Sequence, residues 1–209
     1  MTDQQYAAWK YAEDLIEETT ELEHARRASL EMGIEPITPA TGAALAQLVA
    51  AMRAGTIIEI GTGLGVSGLW LLRGAPNARL TSIDIEPEHQ ATARELLLRA
   101  GVPTASIRLI AGRAAEVLPR INDASYDLVL IDADPASVTA YLEEALRIVR
   151  AGGTVAIPRV LRGGRVADPT AREDVTQDLR DLLRSAVDSP DVISAVLPVG
   201  DGLLLLTKR

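Results

Sequence analysis

Short β-branched runs and longer stretches with helical spacing alternate along most of this chain. Apolar runs at 56–60, 80–85, 106–111, 127–132 and 153–158 predict strands. The segments 66–73, 87–100, 113–121, 136–149 and 169–187 predict the helices that follow them. Such βα alternation predicts a parallel sheet covered by helices on both faces. The ending breaks the alternation. VISAVLP (192–198) and LLLLTK (203–208) are joined only by Val-Gly-Asp-Gly, so these two strands form an antiparallel hairpin, with Asp201 and Gly202 as turn residues.

The first third reads differently. Residues 3–32 carry scattered apolar positions at Tyr6, Trp9, Leu15, Ile16, Leu22 and Leu30, with a break near Thr19–Thr20 and a stop at Gly33. A proline-broken loop, IEPITPAT, leads into a helix from about residue 42 to 53. Tyr6, Trp9 and Tyr11 gather in one helical segment. They suit packing on the domain or on a second subunit, or a lid over a ring-shaped substrate.

Composition narrows the classes. With 209 residues and 47% apolar content, the chain suits one domain, with residues 1–33 as a helical extension and 34–209 as an α/β core. A net charge of −8 without basic clusters argues against nucleic acid or an anionic membrane as partner. The absence of cysteine removes disulfides, thiolate metal sites and cysteine nucleophiles. No apolar run reaches the roughly 20 residues of a membrane span. The start MTDQQYAAWK lacks a signal pattern, so a cytoplasmic location is expected.

The chemistry gathers in TIIEIGTGLGVSGLWLL (56–72), a strand, a glycine-rich turn and a helix opening. Glycines let the backbone turn sharply and approach a ligand, and free N–H groups of the helix start favour an anionic group. Gly63, Gly65 and Gly68 also satisfy the dinucleotide fingerprint G-x-G-x-x-G, so a nicotinamide-dependent oxidoreductase remains an alternative. Glu59 extends the motif to E-x-G-x-G-x-G, and Asp84 in LTSIDIEPEH stands where a carboxylate accepts from ribose hydroxyls. The final hairpin disfavours the oxidoreductase, whose six parallel strands would need another crossover helix.

These motifs resemble those of class I S-adenosylmethionine-dependent methyltransferases. The stretches PITPATG, IIEIGTGLGVSGLWL, LTSIDIEPEH, YDLVLIDAD, AYLEEALRIVRAGG, VLRGGRVADP and LPVGDGLLL, in that order over 34–209, resemble the caffeoyl-CoA and catechol O-methyltransferase family. The resemblance implies a Rossmann-like, doubly wound α/β fold: a seven-stranded sheet, mostly parallel, with the antiparallel C-terminal hairpin and extra N-terminal helices. It implies S-adenosylmethionine as cofactor, S-adenosylhomocysteine as product, a small-molecule acceptor and a homodimer. Ile37, Thr38 and Ser67 would lie by the methionine carboxylate, and the backbone from Glu59 through Gly61 to Gly63 along the methionyl and ribose portions. Asp84 would hold the ribose and Ile85 the adenine face, while Gly112, Arg113 and Ala114 would meet the adenine edge. Asp132 would lie near the methionine amino group.

Two departures from the family pattern stand out. Arg113 replaces an acidic residue common at the adenine edge. The family's divalent cation lies between an aspartate in the VLIDAD stretch and an Asp-Asn pair after the fifth strand. Here Asp132 is present, but Pro158 and Arg159 occupy the pair's positions and Pro135 replaces a lysine. Magnesium and calcium want oxygen ligands, which proline and arginine side chains lack, so no family-type metal site is expected. Asp132 and Arg159 become the candidate catalytic residues. Arg159 either holds an acceptor phenolate or carboxylate, or merely neutralises Asp132 in a cofactor-binding protein without catalysis. Arg162 and Arg165 add positive charge to the same loop. His24 and His89 read as surface residues, and Glu17–Glu18 and Glu143–Glu144 as solvated helix faces.

Overall fold

The computed structural model describes residues 3–209, and the side chain of Tyr6 lies outside what it describes. Seven strands form one sheet in the order β3-β2-β1-β4-β5-β7-β6. They are β1 (Thr56–Ile60), β2 (Arg79–Asp84), β3 (Ile107–Ala111), β4 (Tyr126–Ile131), β5 (Val149–Pro158), β6 (Val192–Leu197) and β7 (Leu203–Lys208). The first five pair in parallel, and β7 runs antiparallel to both β5 and β6. Eight α-helices accompany them: α1 (Asp3–Asp14), α2 (Thr20–Glu31), α3 (Pro39–Met52), α4 (Val66–Gly74), α5 (Pro87–Arg99), α6 (Ala114–Val117), α7 (Val138–Ile148) and α8 (Asp174–Asp188). None is long and apolar enough to cross a membrane.

The period of two along each strand divides the core between the two faces. Ile57, Leu80 and Leu128 pack with Leu22, Leu45, Leu71 and Leu97 from α2 to α5. Ile58, Ile60, Ile83 and Val129 pack with Val138, Ile148 and Leu182 from α7 and α8. Glu59 falls on the first face, an acidic side chain with no exposed surface among leucines.

Several boundaries differ from the sequence reading for local reasons. The helix expected over 113–121 shrinks to one turn, α6, followed by a 3-10 turn at Leu118–Arg120. Pro119 has no N–H to continue an α-helix, and its ring crowds the preceding turn. Helix α8 starts at Asp174 rather than 169, because the preceding segment folds into turns clamped by Arg180. That guanidinium donates to the carbonyls of Arg165, Val166, Asp168 and Ala171. Strand β5 begins early, at Val149, which pairs with Tyr126. Helix α3 starts at Pro39, capped by Thr38, whose hydroxyl accepts from the Thr41 N–H at 3.2 Å.

The N-terminal break is real: residues 15–19 separate α1 from α2, and the Thr19 hydroxyl caps α2. Within that break Glu18 is not a solvated residue. It holds the Arg26 guanidinium through two bonds of 2.6 Å and accepts from the Trp70 indole at 3.1 Å. Arg26 also donates to the Ile37 carbonyl at 2.7 Å, tying the N-terminal helices to the PITP loop. Trp9 and Tyr11 are exposed on α1.

Candidate active site

A cavity of about 660 Å³ opens at the C-terminal ends of β1, β2 and β4, where the strand order reverses. Open parallel sheets place ligands at this switch point, because the connections leave it on opposite faces. Ile37, Gly61, Gly63, Ser67, Asp84, Ile85, Gly112, Arg113, Ala114, Asp132 and Arg159 all line it. Thr38 and Glu59 do not: Thr38 turns to Thr41 as the α3 cap, and Glu59 lies beneath α4.

The glycines of the β1–α4 turn have different tasks. Gly61 has φ +98°, and a Cβ there would sit 2.0 Å from the Asp132 carbonyl oxygen. Its missing side chain is what lets the ends of β1 and β4 meet. Gly63, at φ +48°, faces open space with the Ile34 side chain 3.5 Å away, leaving its backbone accessible from the cavity. Asp84 braces this turn. One carboxylate oxygen accepts from the Thr62 and Gly63 N–H groups at 2.8 and 2.9 Å, and the other from the Glu86 N–H at 2.9 Å. Of a carboxylate's roughly four acceptor positions, three are thus taken by backbone.

Below the turn, the Ser67 hydroxyl donates to Glu59 at 2.7 Å. The other Glu59 oxygen is buried without a partner. Burial pushes the Glu59 carboxyl up to about 7. The hydrogen bond from Ser67 opposes that rise, while the charges of Asp132 and Asp84 add to it. The folded protein therefore keeps a proton that the unfolded chain releases near pH 4.5. Between those values stability falls as pH rises, by about 3 kcal/mol in all for a fully buried group, and it levels off above about 7. Glu59→Gln is expected to remove this decline. Denaturant unfolding at pH 4.5 and 7.5 checks it, and parallel profiles for both proteins would refute the assignment.

At the β4 and β5 ends, Arg159 meets Asp132. One Nη of the guanidinium bonds the Asp132 carboxylate directly, and the other donates to the Glu35 carbonyl at 2.8 Å. The two side chains are 34% and 11% exposed. Burial drives the Asp132 carboxyl above its ordinary value, and the Arg159 charge and hydrogen bond pull against that rise. Arg159 is held in the left-handed region at φ +61°. Asparagine tolerates that conformation, whereas most L-residues lose about 1–2 kcal/mol there.

These residues do not fit a divalent cation. Asp132 is committed to a guanidinium, Pro158 has no side-chain donor, and among the described residues no three acidic or histidine side chains gather to hold an ion. Arg162 and Arg165 do not line the cavity, and Arg165 pairs with Glu173. His89 does line it, half-buried on the first turn of α5, so it is not simply a surface residue. Sequence reasoning missed Ser29, Ser137 and Tyr141, which also face the cavity. Tyr141 had one weak signal, an aromatic on the helix that follows the Asp132 strand end in a chain with only four tyrosines.

Comparisons with known proteins agree with this geometry. The O-methyltransferase family model matches residues 8–209. A Mycobacterium bovis protein provisionally named an O-methyltransferase is 44% identical over 201 residues, covering 96% of this chain and 90% of that protein. A solved Corynebacterium glutamicum protein is 31% identical with a TM-score of 0.90, over 100% of this chain and 98% of its own. The O-methyltransferase TomG of Streptomyces achromogenes, solved with S-adenosylmethionine, is 28% identical with a TM-score of 0.86 and covers 100% of both chains. With the reversed β7 and the switch-point cavity, these matches also answer the nicotinamide alternative. This chain belongs to the S-adenosylmethionine-dependent O-methyltransferase family.

Proposed function

We propose that this enzyme methylates an oxygen of a small phenolic or anionic acceptor without a divalent cation, with Asp132 and Arg159 at the reacting end. The observation that carries the reading is the Arg159–Asp132 pair, which puts a fixed positive charge where relatives would use an ion. The cavity suits the cofactor. Its volume lies within the range of small-molecule sites, about 300–1,000 Å³. Asp84 keeps acceptor capacity for a hydroxyl, and Ile85 offers an apolar side chain, 53% exposed, to a flat ring. At the methionine end, the first N–H groups of α4 and the loop at Ile37 suit a carboxylate. Arg113 offers a cation in place of an acid at the adenine edge, leaving recognition there to the backbone of Gly112 and Ala114.

Bound S-adenosylmethionine supplies a methyl group on a positively charged sulfur, which demands an aligned and deprotonated oxygen more than a Lewis acid. Asp132 takes the proton from the acceptor hydroxyl, its basicity raised by burial. Arg159 then holds the oxyanion with the donors left over from Asp132 and Glu35. With the acceptor's proton on Asp132, the oxygen held by Arg159 would take the methyl group that the cofactor supplies. Transfer of labelled methyl to a panel of catechols, phenols and carboxylic acids tests this, run once with a chelator and once with magnesium. Equal product in both buffers is expected. Product formed only with magnesium contradicts the metal-free mechanism. Cofactor binding without any product would contradict catalysis at this pair.

A further inference from the structure

A second cavity, of about 620 Å³, opens at the opposite end of the sheet, over the N-terminal halves of β2 and β3. It exists because α6 is short. Pro119 ends that helix after one turn, so part of a sheet face that a longer crossover would cover stays open. The exposed face is cationic. Arg79 and Thr81 share it on β2, and Arg108, the register partner of Thr81, faces the same way from β3. Arg120 reaches it from the 3-10 turn after α6.

Three arginines from three elements therefore line one groove. Each is exposed, and among the described residues none of their guanidinium groups has a partner. The lining contains no carboxylate, in a chain with 29 acidic residues against 21 basic ones. Asp123 and Asp127, which flank the Ser125–Tyr126 wall, are already held by Arg147 and Arg150. The floor is apolar, with Ile110, Val117 and Ile121, and the Tyr126 hydroxyl is fixed by donating to Thr81 at 3.0 Å. An apolar floor under unpaired guanidinium forks suits an organic anion, and the forks match phosphate oxygens two at a time.

We propose that this groove binds a phosphorylated small molecule of nucleotide size, independently of the cofactor cavity. The test titrates adenosine diphosphate, and separately inorganic pyrophosphate, into protein saturated with S-adenosylhomocysteine. Saturation keeps either probe out of the cofactor site. Adenosine diphosphate is expected to bind, more weakly as salt is raised. Arg79→Gln, Arg108→Gln and Arg120→Gln should each weaken it about ten-fold while leaving S-adenosylhomocysteine affinity and thermal stability unchanged. Pyrophosphate binding equally well would mean that the phosphates alone are read, which overturns a ligand of nucleotide size. Weaker pyrophosphate binding would mean that the apolar floor contributes, as proposed. Failure of both probes to bind at millimolar concentration overturns the proposal. So does binding that survives the triple substitution.

Discussion

Replacing Asp84 with alanine is expected to weaken S-adenosylhomocysteine binding by at least about a hundred-fold, equivalent to about 3 kcal/mol, with the sheet still folded. Two losses combine. The carboxylate's remaining acceptor capacity for a cofactor hydroxyl disappears, and charge-assisted bonds of this kind contribute about 1.5–3 kcal/mol each. The N–H groups of Thr62, Gly63 and Glu86 also lose their shared partner, so the turn that walls the cavity is no longer held in place. Asp84→Asn, which keeps an acceptor oxygen but not the charge, should fall between the two. Calorimetric titration gives the affinities and a thermal melt confirms folding. An alanine variant that binds as tightly as the unaltered protein would remove Asp84 from the site.

Gly61→Ala is expected to cost more than about 4 kcal/mol and to leave little folded protein. The added Cβ would stand 2.0 Å from the Asp132 carbonyl oxygen, well inside contact distance. Neither strand can retreat cheaply, because the Asp132 N–H donates to the Ile60 carbonyl at 2.8 Å and the Gly61 N–H to the Ile83 carbonyl at 2.8 Å. A φ of +98° is also strained for alanine. Gly63→Ala meets only Ile34, at 3.5 Å, and should cost far less. Denaturant midpoints of the two variants check the contrast, and similar midpoints would mean that the β1–β4 contact is not what requires Gly61. A motif glycine at this turn thus serves the sheet first and the ligand second.

Periodicity and turn chemistry made the architecture legible. Strands of Val, Ile and Leu separated by helical spacing located β1 to β4 within a residue or so, and Val-Gly-Asp-Gly announced the reversed β7. Helix ends were harder, because tertiary bonds decided them. Nothing local to residues 165–173 shows that Arg180, in the next helix, will gather four carbonyls there. Pro119 was visible, yet a proline is also compatible with a helix start, and only the structure shows it ending α6.

The site was legible where motif and backbone coincide, as at Gly61, Gly63 and Asp84. It was less so where a side chain crosses between elements. Glu59 belongs to the motif but turns under α4 to Ser67, a consequence of strand alternation that a ligand-centred reading overlooks. Glu18 looked solvated beside Glu17, and its burial follows from Arg26 and Trp70, eight and 52 residues away in sequence. Tyr141 lies within the family-like stretch AYLEEALRIVRAGG, which names no site residue, and Ser137 lies in the turn before α7; their place in the cavity wall depends on how α7 packs against β4. The sequence left Arg159 two roles, pairing with Asp132 or holding an acceptor anion, and the geometry has the two groups in contact.

The most direct single measurement is a calorimetric titration of S-adenosylhomocysteine into the purified protein, once with a chelator and once with magnesium. Binding at one site per chain with the same affinity in both buffers is the predicted result. It would show that the protein binds the cofactor product with no ion needed to hold it. Absence of binding in both buffers, or binding that appears only with magnesium, would contradict a cofactor site completed by Asp132 and Arg159 alone.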